Sequence, residues 1–405
     1  MSNVIIVGGG AAGLSAAIAA AMCGDHVTVL ERMDRVGKKI LATGNGRCNL
    51  MNTGNLRFPG GSRLAREVLQ RLDAQEQIRF WEHLGLRTRQ EDGGRVYPIS
   101  GAASTVLDTL RQALLSLGVE EVTGTPVTSL SRARNGWLVT AGESRYKAER
   151  VIIAGGGCAQ PKLGSDGSTW KLLTDLGHTM IKPRPALTQI VTDTEPIRGL
   201  NGVRIRTMLR ITHGRDEVHR ESGELLFADY GLTGVCTMQC ARFVSTGDVI
   251  HIDLVRALGF EDTCALSSEL QRRCSLWGDL VIRDLLTGLC LPKLSTALFR
   301  AAGIECTHER RIKELTKREL DRLTHLCSDF SVTVKGVKGF DNAQVTAGGI
   351  ASDEFDPVTL ESRIIRGLHA AGEVLDVDGD CGGFNLMFAF GSGILAGLNG
   401  RACPW

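Results

Sequence analysis

At 405 residues, with 43% hydrophobic and 23% charged side chains, the chain has ordinary globular composition and room for two or three domains, which excludes disordered, collagen-like and low-complexity classes. Lys and Arg number 47 against 45 Asp and Glu, a net charge of +2, and aromatics make up 5%; neither figure suits a protein that wraps nucleic acid or stacks bases. The one bias, 49 glycines against 10 prolines, points to tight turns and close backbone approaches to a bound molecule.

Val4-Ile5-Ile6-Val7 reads as a strand buried on both faces. Gly8-Gly9-Gly10-Ala11-Ala12-Gly13 then matches G-x-G-x-x-G, an Ala-rich helix runs to about Cys23, and His26 to Leu30 forms a second parallel strand ended by Glu31. In this pattern Gly8 permits the tight turn, Gly10 admits a pyrophosphate, and Gly13 allows close helix–strand packing. The helix N-terminus at Ala11 and Ala12 offers unpaired N–H groups to phosphate, and Glu31 can accept both hydroxyls of an adenosine ribose. A lone G-x-G-x-x-G is weak, but strand, helix, second strand and terminal acid in register predict a bound dinucleotide. The unit by itself does not choose between NAD and FAD.

Arg32 follows the acid. Next comes a basic, glycine-rich segment from Gly37 to Asn49, read as a loop, in which Lys38 and Lys39 suit phosphate charge and Gly44 and Gly46 suit a planar ring. A surface loop with incidental basic residues is the plainer alternative. Residues 102–117 read as an amphipathic helix, and Val127 opens an antiparallel meander that runs to about Lys147. Val151-Ile152-Ile153-Ala154-Gly155 returns to the central sheet beside the cofactor. From about 188 to 255 the pattern alternates like β-strands, and from 256 to 340 it is helical with a return strand. The mixed charges of Glu309 to Glu314 predict a solvated helix face rather than an RNA patch. Residues 1–187 and 341–405 then make one discontinuous cofactor domain. A last buried strand reaches Gly372 and Glu373, and Gly383-Phe384-Asn385 opens a helix of small residues to about Leu398. Aimed at a flavin, that helix N-terminus would stabilise the anion formed on two-electron reduction.

The twelve cysteines contain no Cys-x-x-Cys pair and the nine histidines no metal-like spacing, so neither a metal site nor a dithiol reductase is expected. No basic segment precedes the first apolar run, which is itself too short to cross a bilayer; a cytoplasmic chain without a membrane span is the expectation.

The segments GGGAAG at 8–13, GKKILATGNGRCN at 37–49, GELLFADYGLTG at 223–234, VTAGGI at 345–350 and GEVLDVDGDCGGFN at 372–385 resemble the YhiN/BaiN-type flavoproteins of the glutathione-reductase-like FAD superfamily. The resemblance implies an α/β fold: an FAD-binding Rossmann-like domain with an inserted β-barrel-like subdomain and a helical subdomain. It implies FAD, contacted by Gly8, Gly10, Ala11, Ala12, Gly13, Glu31, Arg32, Lys38, Lys39, Asn49, Val127, Ala154, Gly155, Gly372, Glu373, Asp376, Gly383, Phe384 and Asn385. Phe384 departs from the Tyr often expected there. Members are named for reduction of conjugated bile-acid enones and for oxidation of aminoacetone.

With no second strand–GxGxxG–helix unit, NAD(P)H would have to dock as a transient reductant without its own Rossmann domain. Arg47 suits stabilising an enolate oxygen, and equally anchoring its loop. Cys48 beside Arg47, and Cys381, are candidate reactive thiols or packing thiols; Tyr230 is a candidate proton donor or a packed ring. The expected activity is FAD-dependent, NAD(P)H-linked reduction of an activated C=C bond in a small or sterol-sized molecule, with no nucleic-acid partner. An amine oxidase releasing hydrogen peroxide and a flavin-containing RNA-modification protein are the alternatives.

Overall fold

The computed structural model describes residues 2–405, which divide into two compact units: residues up to 185 with those from 340 onward, and residues 186–339. In chain order the first unit begins with β1 (Asn3–Val7), α1 (Ala11–Met22), β2 (His26–Leu30), α2 (Lys38–Ala42), β3 (Met51–Asn52), α3 (Ser62–Arg71) and α4 (Ala74–His83). β4 (Thr88–Gln90), β5 (Arg95–Pro98), α5 (Ala103–Ser116), β6 (Glu120–Val122), β7 (Val127–Ala133), β8 (Gly136–Ala141) and β9 (Ser144–Ala148) follow. β10 (Arg150–Ile153), α6 (Trp170–Thr174) and β11 (Met180–Ala186) complete this first pass.

The second unit opens with β12 (Ile190–Thr192), β13 (Arg204–His213), β14 (Asp216–Ala228), β15 (Gly231–Thr233), α7 (Val235–Cys240) and β16 (Val249–Ile252). Four helices come next: α8 (Leu254–Ala257), α9 (Thr263–Trp277), α10 (Pro292–Ala301) and α11 (Lys317–Ser328), before β17 (Phe330–Val337). The chain then returns to the first unit through β18 (Val345–Ile350), β19 (Leu368–Ala370) and α12 (Phe384–Leu398).

The first unit is built on a five-stranded parallel sheet in the order β19-β10-β1-β2-β6. Four of five residues of β1 and all of β10 are buried, which is why Val4–Val7 and Val151–Ile153 read as unbroken apolar runs. Two small antiparallel sheets, β3-β5-β4 and β7-β8-β9, are attached. α1 is almost entirely buried because α12 lies against it at very short range: a Cβ on Gly393 would fall 2.2 Å from the Ala12 carbonyl oxygen, and one on Gly397 2.3 Å from that of Ala16. The small-residue composition of both helices is what permits that approach.

The second unit is a closed antiparallel barrel, β12-β15-β14-β13-β16-β17, with its own apolar core and helices. Local signals set its helix ends: Asp262 accepts from the Ala265 amide at the start of α9, and Thr316 and Glu319 form a capping box on α11. β17, the return strand, pairs with both β16 and β12 and so closes the barrel. A cut at residue 255 therefore does not separate barrel from helices, because the barrel's last strand lies beyond all four helices that follow β16. No helix is long and apolar enough to cross a membrane among the described residues.

Candidate dinucleotide site

The turn between β1 and α1 is shaped by three glycines under three different constraints. Gly8 has φ of +106°, and a Cβ on it would lie 2.6 Å from the Ala154 carbonyl oxygen. A Cβ on Gly13 would lie 1.9 Å from the Gly8 carbonyl oxygen, so that position is closed by the protein itself. Gly10 is the opposite case: nothing lies within 4 Å of its absent Cβ. It is the N-cap of α1, and no side chain caps the helix there. The first-turn N–H groups therefore have no side-chain acceptor and carry the helix's positive partial charge.

Glu31 is buried at the end of β2; one carboxylate oxygen accepts from the Gly9 amide at 2.7 Å and the other from the Met33 amide at 2.7 Å. Both oxygens keep lone pairs for further donors. Arg32 is paired with Asp166. Ala154 donates its amide to Val7, bringing the end of β10 beside the turn, and a Cβ on Gly155 would fall 2.3 Å from the Thr169 methyl. The Thr169 hydroxyl is buried without a partner. Val127 opens β7 in the small sheet, paired with Ala141.

The segment after Gly37 differs from the expected loop: Lys38–Ala42 is a helical turn, followed by Gly44, Asn45, Gly46 and Cys48, all with φ between 55° and 81°. Non-glycine residues held in this region, Asn45 and Cys48, carry backbone strain. Both lysines already have carboxylate partners. Lys38 pairs with Asp34 at 2.5 Å and Lys39 with Glu373 at 2.7 Å, so neither ammonium is a free counter-charge for phosphate. Glu373 also accepts from the Thr346 amide, which makes it a clamp between Lys39 and β18. Arg47 is likewise engaged, on Glu91 at 2.5 Å and over the Tyr97 ring at 4.1 Å. Cys48 is fully buried, and burial pushes its thiol up to about 11; with Arg47 turned to Glu91, no reactive thiolate is formed there.

Asn49 is different. Its side chain is 8% exposed, and its Oδ1 is buried without a hydrogen-bond partner. Gly383, the N-cap of α12 with φ of +105°, lies directly against it: a Cβ there would be 2.9 Å from Asn49 Oδ1 and 2.6 Å from the Met51 carbonyl oxygen. No side chain caps α12 either. The turn leading into this helix is held rigidly. Asn385 accepts from the Gly379 amide and donates to the Gly379 carbonyl oxygen, both at 2.8 Å, so its amide serves the turn rather than standing free for a ring. Asn52 donates to the Gly382 carbonyl oxygen at 2.9 Å and to that of Gly93. Asp376 accepts from the Gly348 amide, and Gly372 donates to the Ser392 hydroxyl while its Cα faces Ala12. The Phe384 ring packs edge-on against Phe58, 6.0 Å away, in a buried cluster. Cys381 lies in this turn, and burial raises its pKa, so it is a neutral thiol.

Sequence reasoning missed Asn52, Thr169, Thr346 and the pair Glu91–Tyr97. Asn52, next to the apolar run Leu50-Met51, was the one detectable signal. Tyr230 belongs to the second unit, where Lys338 Nζ lies 4.3 Å from its ring centroid. His178 links Glu354 at 2.7 Å to the Ser362 hydroxyl at 3.0 Å, the chemistry of a serine–histidine–acid relay. The Ser362 oxygen, however, accepts the amides of Ile364 and Ile365, and His178 is buried against Phe355. This is a fold-stabilising knot. Among the described residues, no group of three or more His, Cys, Asp or Glu side chains could hold a metal ion.

The model of the HI0933-like protein Rossmann domain matches residues 2–399. The chain belongs to that family. A 3-dehydro-bile acid delta(4,6)-reductase from Clostridium scindens is 36% identical over 98% of both chains. The ribosomal RNA dihydrouridine synthase of Escherichia coli is 26% identical over 96% of both. Among solved structures, a 3-ketosteroid-delta4-(5alpha)-dehydrogenase from Rhodococcus jostii RHA1 is 16% identical, with 99% of this chain and 97% of that one covered and a TM-score of 0.47. Membership of the HI0933-like family makes the chain an FAD-dependent oxidoreductase family enzyme. The unpaired groups fit such a cofactor. Two uncapped helix N-termini, an open Gly10 cradle, a strand-end carboxylate and a buried unpartnered amide oxygen are what a long dinucleotide with an imide ring requires.

Proposed function

We propose that this HI0933-like chain is an FAD-dependent, NAD(P)H-linked reductase of an activated carbon–carbon double bond. The observation that carries it is the open Gly10 cradle at the uncapped start of α1, coupled to a relative, 36% identical over 98% of both chains, whose name is that of a delta(4,6)-reductase. The dihydrouridine synthases also take their name from adding hydrogen across a double bond, so one chemistry spans both relatives. They keep nucleic acid open as a substrate, against the expectation from charge balance.

In this reading the N–H groups from Gly10 to Gly13 hold the pyrophosphate and Glu31, which also accepts the Gly9 amide, holds the adenosine ribose. Asn49 and the start of α12 face the flavin ring. The bound flavin would supply a two-electron carrier able to exchange hydride at its N5 position. The chain's own contribution is orientation and field. The α12 dipole favours negative charge beside Gly383, and Asn52 and Asn385 keep the 379–383 turn from moving. Arg47, its charge paired with Glu91 and its guanidinium laid over Tyr97, would offer an enolate oxygen only the N–H groups that Glu91 leaves unused. Cys381, held neutral by burial, keeps a proton to deliver.

Anaerobic addition of NADH and NADPH to the yellow protein tests the reading: flavin bleaching, followed by reoxidation with a steroid enone, is expected. Reoxidation by a uridine-containing ribosomal RNA fragment and not by enones would transfer the activity to RNA. Bleaching only by an amine, with peroxide released in air, would replace the reductase by an oxidase.

A further inference from the structure

The small sheet β3-β5-β4 gathers arginines on one face. Register sets Asn52 opposite Arg95 and Arg89 opposite Tyr97, and Arg95 and Tyr97 stand two apart on β5, so all four project from the same side. Arg47 lies over the Tyr97 ring, and Glu91 accepts from Arg47 at 2.5 Å and from Arg89 at 3.1 Å. Three guanidiniums therefore meet one carboxylate. Arg95 is exposed, and among the described residues no carboxylate pairs with it; Asp92, exposed in the turn between β4 and β5, pairs with none of the three. The face adjoins the two segments that the flavin reading sets around the ring. Asn52 Nδ2 donates to the Gly382 carbonyl oxygen at 2.9 Å, in the turn before α12, and a Cβ on Gly44 would lie 3.7 Å from the Tyr97 ring. The Arg95 charge also reaches Cys381 in that turn, opposing the rise that burial gives its thiol.

A nicotinamide dinucleotide has to come to the flavin to reduce it, and the chain has no second strand–GxGxxG–helix unit whose helix start could take its pyrophosphate. Side-chain cations are the other way to hold a pyrophosphate, and guanidinium forks match phosphate oxygens in pairs. We infer that Arg95, with the half-neutralised Arg89 beside it, is the docking point for the pyrophosphate of NADH or NADPH. The inference rests on the NAD(P)H-linked reading above and adds to it the residue that holds the reductant.

The test uses ADP-ribose, which carries the pyrophosphate but no nicotinamide, so binding to the oxidised holoprotein is read by calorimetry without turnover. Arg95→Gln is expected to weaken ADP-ribose about tenfold, and to raise by a similar factor the NADH and NADPH concentrations that give half the maximal rate of anaerobic bleaching. Arg95→Lys, which keeps the charge and loses the fork, falls between this variant and wild type. Arg95→Glu reverses the charge and binds more weakly still, and it serves if the glutamine variant does not fold. ADP-ribose binding within about twofold of wild type in whichever of these variants folds overturns the inference, as does a wild-type protein that a nucleotide bleaches but that binds no ADP-ribose; bleaching itself leaves the reductase reading intact. Unchanged nucleotide constants, with slower reoxidation by a carboxylate-bearing enone and not by its methyl ester, overturn it too and give the face to the substrate. A wild-type flavin that neither nucleotide bleaches overturns the NAD(P)H-linked reading, and this inference with it.

Discussion

Gly10→Ala separates a glycine needed by the fold from one needed by a ligand. Gly10 has φ of −90° and ψ of −166°, extended geometry open to any residue, and its Cβ would meet nothing within 4 Å. Alanine there gains about 0.4–1 kcal/mol by restricting the unfolded chain. It loses a similar amount because alanine is a poorer N-cap than glycine, by roughly 0.5–1 kcal/mol. The apoprotein should therefore change by no more than about 0.5 kcal/mol, or about 2 °C in Tm for a unit of this size. A pyrophosphate laid across Gly10 meets the new methyl group. Overpacking of that kind costs roughly 1–3 kcal/mol, which is about 5- to 150-fold in Kd. Gly13→Ala is the control: its Cβ would stand 1.9 Å from the Gly8 carbonyl oxygen, so it should destabilise the apoprotein by about 3 kcal/mol or more. Apoprotein melting curves with and without FAD, together with fluorescence titration, measure both quantities. FAD binding by Gly10→Ala within about twofold of wild type would refute the placement of the pyrophosphate.

Asp25 is buried between Arg150 at 2.7 Å and Arg401 at 2.5 Å. Burial pushes its pKa up, but the Arg401 hydrogen bond, the Ser2 amide and the Arg150 charge outweigh it and hold it below 3.8. Its contribution is thus complete above the unfolded value of 3.8 and lost as pH falls through the lower folded value. Asp25→Asn should cost about 3–5 kcal/mol at neutral pH and flatten that acid limb in denaturant titrations. His369 titrates in the opposite chemical sense: burial, then the Arg150 charge, depress it to about 4. The unfolded chain takes up this proton near 6.5 and the native chain does not until about 4, so stability should fall with pH across that window, and fall less in His369→Gln. Thiol labelling with iodoacetamide should modify the exposed Cys264 and Cys306 in the native state and spare Cys48, at about 11, until unfolding; mass-spectrometric detection of early Cys48 alkylation would contradict its burial.

The parallel unit β1–α1–β2 was legible in the sequence because its signals are local. Apolar runs, one glycine turn and an acid at the strand end each act within a few residues of where they stand, and the barrel strands announced themselves by alternation in the same way. The Gly37–Asn49 segment was legible as unusual but not as a helical turn with strained Asn45 and Cys48, because positive φ at non-glycine residues is imposed from outside. The two lysines show the limit most plainly. Their charge is written in the sequence, but Asp34 and Glu373, one of them 334 residues from Lys39, decide that it is spent inside the protein.

The sequence by itself determined the residue types at the turn, the strand-end carboxylate and the register of apolar faces, since these follow from periodicity and the conformational range of single residues. Only tertiary structure decided which polar groups remain unpaired. Asn49 and Asn385 look alike in the sequence. The first keeps a buried acceptor without a donor and the second is consumed by Gly379, because a hydrogen bond is a property of two groups brought together by distant parts of the chain.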